Sequence, residues 1–308
     1  MSVASYAEGI VRTLTWFETI GYAPTLVELM RTMDEKAIGS KVRTTDDRQH
    51  IEELLLAGTV SLRMGRIGFP ESIDRIVATI RERDLYQPRK RRRARRVASW
   101  LAQLAGVRFV ALANTTAIGY ARDEGDLDFF VVAHAGTIWT SRLLGGLPFR
   151  ILGLTPRGRN DRDAICLSYF VTDDALDLSS HELPDGDPYF RYWFLSLLPL
   201  YDDGISRDLW DANAKIRERH PFASRWITSP DLRIDRHFHL PTSIFRLLEP
   251  LARYLQMRWF PAAIRDRMNR DTTVIVNDRT LKFHVTDGRE EYRAAYIEAC
   301  LKRGIEPY

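Results

Sequence analysis

Cysteine is nearly absent from this 308-residue chain, Cys166 and Cys300 being the only two. Two thiols without metal-ligand spacing exclude a disulfide framework and a zinc-finger-type site, and they point to a reducing compartment, the cytoplasm. Long apolar runs are missing as well. The nearest is the short stretch Trp193 to Leu200, well under the roughly 18 residues of a spanning helix, so no membrane span is expected. Met1 to Gly9 carries neither a basic nor an apolar segment, so no secretory leader is expected. There is no low-complexity tract and no internal repeat. The glycines at Gly145-Gly146 and from Gly153 to Gly158 match neither Rossmann nor Walker spacing, and no Gly-x-Ser-x-Gly elbow occurs. What remains is a globular protein, long enough for two domains or one elaborated core.

Basic charge is present but uneven. The net charge is +4, yet Arg89 to Arg96 holds seven basic residues in eight positions, which leaves the rest of the chain at −3. The cluster falls at the start of a helical stretch, where cations oppose the helix dipole, so helix stability does not account for it. Two readings stay open: a solvated linker face, or a patch for an anionic partner such as a nucleotide tail or RNA.

The hydrophobic periodicity places a helix over residues 4 to 20, through Ile10, Leu14, Phe17 and Ile20. A second helix opens at Pro24-Thr25, with Thr25 and Glu28 as a capping box. A third runs from Asp46 to Ala57 behind a Thr45 cap, and Val60 to Phe69 reads as a hairpin around Arg63-Met64-Gly65-Arg66. Three helices and a hairpin look like a winged helix. Its third helix carries His50, Glu52 and Glu53 beside Arg48, which favours docking on the next domain over DNA binding. Helical texture continues from Pro70 to Gly106 with a break near Pro88. Strands follow at Arg108 to Ala113, Leu127 to Val132, Phe149 to Leu154 and Ala164 to Val171, with a helix around Ile138 to Leu144. From Tyr189 the chain reads as largely helical, with late strand-like pieces at Thr273 to Val276 and Leu281 to Val285. Ile244 to Ile264 is apolar with Arg246, Glu249, Arg253 and Arg258 at its polar positions, and is expected to be a packed helix. His237 and His239 could present two ligands on one strand face, but no third ligand accompanies them.

The chemistry concentrates in residues 113 to 132. Asp126 and Asp128 alternate with Leu127 at the start of an apolar strand, so both carboxylates leave the same face about 6 to 7 Å apart. That separation suits two acids gripping divalent cations, and a cation would offset the cost of placing like charges beside Phe129 to Val132. The plainer alternative is two acids at an exposed strand end that cap the turn Asp123 to Gly125.

Upstream, Asn114-Thr115-Thr116 forms a polar turn, and the stretch Asn114-Thr-x-Ala-x-Gly-x-Ala leads to Asp126-x-Asp128. This arrangement resembles the DNA polymerase beta-like nucleotidyltransferase superfamily, specifically bacterial nucleotidyltransferase-like proteins with a preceding winged-helix module. Trp139 and Arg142, Cys166 to Val171 and Asp187-Pro-Tyr extend the resemblance to Asn213. It implies an α+β fold: a small mixed sheet of nucleotidyltransferase type with flanking helices, preceded by a winged-helix-like module and followed by a mainly helical region. The corresponding boundaries are 1–87, 88–185 and 186–308. It further implies metal-dependent transfer of a nucleotidyl group from an NTP, with Mg²⁺ or Mn²⁺ at Asp126, Asp128 and a third acid. Asp163 is the choice for that acid, with Asp161 and Asp174 as alternatives. Asn114, Thr115 and Thr116 would cradle phosphates, with Arg142 or Arg122 on the leaving group. The acceptor, whether a small molecule, a protein or RNA, is not legible. Asn114 departs from the family's glycine, which leaves a catalytically inactive nucleotide- or RNA-binding module, or a winged-helix DNA-binding regulator, as alternatives.

Overall fold

The computed structural model describes residues 3–34, 46–156, 158, 161–228, 230–235 and 241–307. Thr45, the Arg48 side chain, His237 and His239 lie outside the described residues. The chain begins with α1 (Val3–Thr19), α2 (Leu26–Thr32) and α3 (Asp46–Leu56), then a hairpin of β1 (Ser61–Arg63) and β2 (Arg66–Gly68). The expected capping box forms: the Thr25 hydroxyl accepts from Glu28 N–H at 3.3 Å, and Glu28 accepts from Thr25 N–H at 2.7 Å. Ile10, Leu14, Leu29, Met33, Ile51 and Ile67 meet in one core beneath the hairpin. Only Arg66 is engaged internally, while the Arg63 pair is exposed at the surface. Arg66 donates to the Tyr22 hydroxyl and the Ala23 carbonyl, each at 2.7 Å, and Arg63 pairs with Asp74 at 3.1 Å.

Two helices, α4 (Ile73–Asp84) and α5 (Gln87–Ala102), lead to the sheet. Pro88 falls in the first turn of α5, where its missing N–H has no intrahelical partner to lose. There follow β3 (Val107–Leu112), α6 (Asn114–Ala117), β4 (Leu127–Ala133), α7 (Ile138–Ile151), β5 (Ile165–Thr172), α8 (Pro188–Leu195) and β6 (Leu198–Asp202). The last part holds α9 (Ser206–Ala212), α10 (Ala214–Arg217), α11 (Thr242–Trp259), α12 (Ala262–Arg267), β7 (Val274–Val276), β8 (Thr280–Phe283) and α13 (Arg289–Lys302).

Six strands form a mixed sheet in the order β6-β3-β4-β5-β8-β7, parallel only between β4 and β5. Alternation along β3 and β4 feeds two cores. Val110, Phe129 and Val131 join Leu101, Trp139 and Phe245 on one face, while Phe109, Phe130 and Val132 join Trp193, Phe194 and Trp226 on the other. The architecture is thus α+β with a mixed sheet.

Two local expectations change. Phe149 to Leu154 is not a strand, because α7 runs on through Pro148 to Ile151. Gly145 permits this helix to lie close to α5, since a Cβ there would stand 2.7 Å from Leu101 Cδ2. Leu198 to Asp202, apolar enough to read as helix, instead pairs with β3 at the sheet edge. Together with β7 and β8, the region after residue 185 therefore supplies half of the sheet.

The starts of β4 and β5 are clamped by charge. Asp163, 6% exposed, accepts from Arg89 Nε at 2.6 Å and from the fully buried Lys90 at 2.9 Å. Arg89 also pairs with Asp123, and Lys90 donates to the Gly125 carbonyl. Two of the seven clustered cations thus work inside the fold, whereas Arg91, Arg92, Arg95 and Arg96 are exposed. Asp163 has φ +56°, a conformation that asparagine also tolerates, so Asp163→Asn removes charge with little backbone strain. Leaving Lys90 buried without its carboxylate is expected to cost about 3–5 kcal/mol, read as a lowered denaturant midpoint at unchanged slope.

Candidate functional site

Asp126 precedes β4 and Asp128 lies within it, their side chains on one face because Leu127 takes the other into the core. The parallel register sets Cys166 of β5 beside Asp128. One oxygen from each acid and the Cys166 sulfur all lie within 4.8 Å of one another. All three side chains are half-buried.

A chain of polar contacts fixes one of these acids. The Asn114 amide donates to Asp128 Oδ2 at 2.7 Å, and the Tyr189 hydroxyl donates to Asn114 Oδ1 at 3.1 Å. Asn114 has φ +55°, the left-handed region that glycine favours and asparagine tolerates. Its side chain is turned onto the acid, so the residue at the expected glycine position has become a support for Asp128. Among the described residues, no side-chain amide holds Asp126 in the same way. Burial, and next the neighbouring Asp128 charge, push its carboxyl up to about 7. Burial also raises the Asp128 carboxyl, against the Asn114 and Cys166 hydrogen bonds that lower it. The Cys166 thiol is raised by burial and then by both carboxylates, which keeps it protonated at neutral pH.

The acids line a cleft of about 480 Å³. Asp161 and Asp287 add two more carboxylates to its lining, against the cations Lys282 and Arg289. Arg289 is consumed by Asp187 and Asp287, each at 2.8 Å. Lys282 donates to the Thr272 carbonyl at 2.7 Å, and burial pushes its ammonium down to about 7. Negative charge therefore exceeds positive charge around the cleft, and a divalent cation fits that excess. The two carboxylate oxygens are hard ligands suited to Mg²⁺ or Mn²⁺, whereas a protonated thiol is not.

The structure does not bring Asp163 to the pair. Its carboxylate points to Arg89 and Lys90, and Cys166 occupies the place on β5 beside Asp128. Asp161 is the nearer acid: it lines the cleft and its charge helps raise Asp126. Asp174 lies beyond the far end of β5, bonded to Thr172 and paired with Arg279. Thr115 is exposed, while Thr116 is 2% exposed and directed at the Asp126 carbonyl. Arg142 lines a neighbouring groove, where it donates to Gln256 at 2.7 Å and stacks 4.2 Å over Phe283. Arg122 borders a second, aromatic cavity of about 300 Å³ that shares Asn114, Tyr189, Trp193 and Tyr292 with the acid cleft. Sequence reasoning missed Cys166 as a site residue and the Lys282–Arg289 wall. The one signal for the latter was a lysine inside the short apolar strand β8.

Comparison with protein-family models, curated proteins and solved structures gives no match for this chain.

The raised Asp126 carboxyl has a signed consequence. Between about pH 4 and 7 the folded chain keeps a proton that the unfolded chain releases, so stability falls as pH rises through that window. Metal-free Asp126→Asn is expected to melt higher than the parent at pH 8, by about 2–4 °C for each kcal/mol of relieved repulsion. The gain should shrink toward pH 5. Thermal melts across pH check it, and an equal gain at both ends would show that charge is not the cause.

Proposed function

We propose that the acid cleft is the site of a metal-dependent nucleotidyltransferase, which passes a nucleotidyl group from an NTP to an acceptor. The observation that carries this reading is the convergence of Asp126 and Asp128 in a cleft with surplus negative charge. A bound Mg²⁺ or Mn²⁺ would offset the pair and polarise the phosphate oxygens of a triphosphate. Asp126 and Asp128 are the ligands, and Asn114, held by Tyr189, keeps the Asp128 carboxylate in one orientation. Thr115 supplies an exposed hydroxyl next to Asn114 for a phosphate oxygen. The adjoining aromatic cavity gives room for a base or an acceptor to stack against Tyr189 and Trp193. Asp161 is the acid of this chain best placed to take a proton from an attacking hydroxyl.

One observation favours a second reading, a nucleotide-binding module without turnover. Cys166 stands beside Asp128 where a third carboxylate would be needed for two cations, and its protonated thiol adds no charge there. Duplex binding through the hairpin has less support, because Arg66 is bonded internally and Arg63 is paired with Asp74.

Calorimetric titration with ATP, GTP, CTP and UTP, with and without Mg²⁺ or Mn²⁺, tests the site. Transfer of an α-phosphate label to small-molecule, protein and RNA acceptors tests turnover. Metal-dependent NTP affinity is expected to fall more than about tenfold in Asp126→Asn and in Asp128→Asn, equivalent to 1.4 kcal/mol. Binding without transfer, with or without metal, would leave only the second reading standing, and absence of NTP binding would remove both.

A further inference from the structure

The helix α11 packs inward through a narrow strip. Phe245, Ala252 and Gln256 are its buried residues, and Glu249 accepts from the Trp139 and Thr140 backbone N–H groups at 2.9 Å. The expectation of a packed helix accounts for that strip alone. At spacings of three and four residues, Ile244, Leu247, Leu248, Leu251 and Tyr254 face solvent, with Leu247 80% and Tyr254 66% exposed. Trp259, 47% exposed, continues the stripe to the end of the helix. There it meets an apolar groove of about 650 Å³ that also takes in Leu147 of α7 and Ile264 of α12. Among the described residues, no core cluster includes Ile244, Leu247, Leu248, Leu251 or Tyr254.

The charge beside this stripe is mostly positive. From Thr242 to Arg267 there are five arginines against two acids. Glu249 is held by backbone N–H groups, and Asp266 is exposed. Arg253 pairs with Asp278 at 3.3 Å, while Arg246, Arg258, Arg265 and Arg267 are exposed. The groove adds Arg150, exposed, and Arg142, whose Nε has no hydrogen-bond partner and which has no carboxylate partner among the described residues. Burial pushes that guanidinium down to about 10. A self-complementary dimer through this face would set arginines against arginines.

We propose that α11 docks in the plane of an anionic lipid bilayer, with Leu247, Leu251 and Tyr254 in the interface and the flanking arginines on phosphate headgroups. An apolar stripe for the acyl boundary, cations for the headgroups and aromatic residues for the zone between them are the three requirements of an interfacial helix. No helix among the described residues is long and apolar enough to cross a membrane, so the contact is with one leaflet. The inference does not depend on the acid cleft.

Flotation of the whole chain tests it with phosphatidylcholine vesicles and with vesicles containing about one-third phosphatidylglycerol, whose negative surface attracts basic segments. Sedimentation of the vesicle-free protein runs alongside. Association is expected only with the anionic vesicles. It should fall about tenfold or more in Leu247→Glu/Leu251→Glu, and also in Arg246→Glu/Arg258→Glu. All four positions are exposed, so melting temperatures should stay near that of the parent. Absence of vesicle binding by the parent, or binding that both variants retain, overturns the proposal. So does a dimer without vesicle binding that Leu247→Glu/Leu251→Glu dissociates, which would assign the face to a second copy.

Discussion

The grip of Arg89 and Lys90 on Asp163 is the constraint from which the geometry of the cleft follows. A carboxylate 6% exposed beside a fully buried ammonium is stable only as a pair, because either charge alone would bear the whole desolvation cost. Lys90 also holds the Gly125 carbonyl and Arg89 holds Asp123, so one helix end fixes the turns ahead of both β4 and β5. The Asp163 N–H donates to the Gly125 carbonyl at 3.1 Å, and Leu127 N–H to the Ala164 carbonyl at 2.8 Å. With both turns fixed, the parallel register has little freedom to slip. Asp126, Asp128 and Cys166 then meet at the head of two adjacent strands.

That meeting concentrates negative charge where the sheet is otherwise apolar. Asp128 is supported by neutral donors from Asn114 and Cys166, and burial raises both carboxyls, that of Asp126 with the neighbouring Asp128 charge as a further cause. A proton relieves the strain, and in the proposed function a divalent cation would relieve it instead. The buried Lys282 does not perform this task, because its own ammonium is depressed by burial and its N–H bond is taken by a carbonyl.

The parts of this arrangement that depend on local pattern were legible in the sequence. Period-two alternation fixed the shared face of Asp126 and Asp128, and the Thr25–Glu28 spacing fixed the start of α2. Parts set by long-range charge were not. The choice of Asp163 over Asp161 could not take account of the pairing of Asp163 with Arg89 and Lys90, more than seventy positions away. Asn114 read as an obstacle because a sequence shows the missing glycine but not a φ of +55°, nor the turn of its amide onto Asp128. The strand expected at Phe149 to Leu154 gives way to the end of α7, whose Gly145 lets the helix lie close to Leu101. β6 was hidden because its apolar run continues that of α8, and strand pairing with β3 decides its state.

The return of the C-terminal region joins the cleft to the rest of the molecule. β8 pairs with β5 and so places Lys282 to Arg289 along the wall of the cleft. α13 then packs on α1, where Trp16 stacks on Tyr192 at 5.2 Å and meets Tyr296 edge-on at 5.8 Å. Tyr189 stands between these regions: its ring contacts Trp16 and Tyr292, and its hydroxyl fixes Asn114. The orientation of Asp128 is thus coupled, through one tyrosine and one amide, to the packing of the first and last helices of the chain. Displacing α1 or α13 would shift Tyr189 and release Asn114, and Asp128 would lose the donor that distinguishes it from Asp126. The packing of the terminal helices and the electrostatics of the acid pair are in this way parts of one structure.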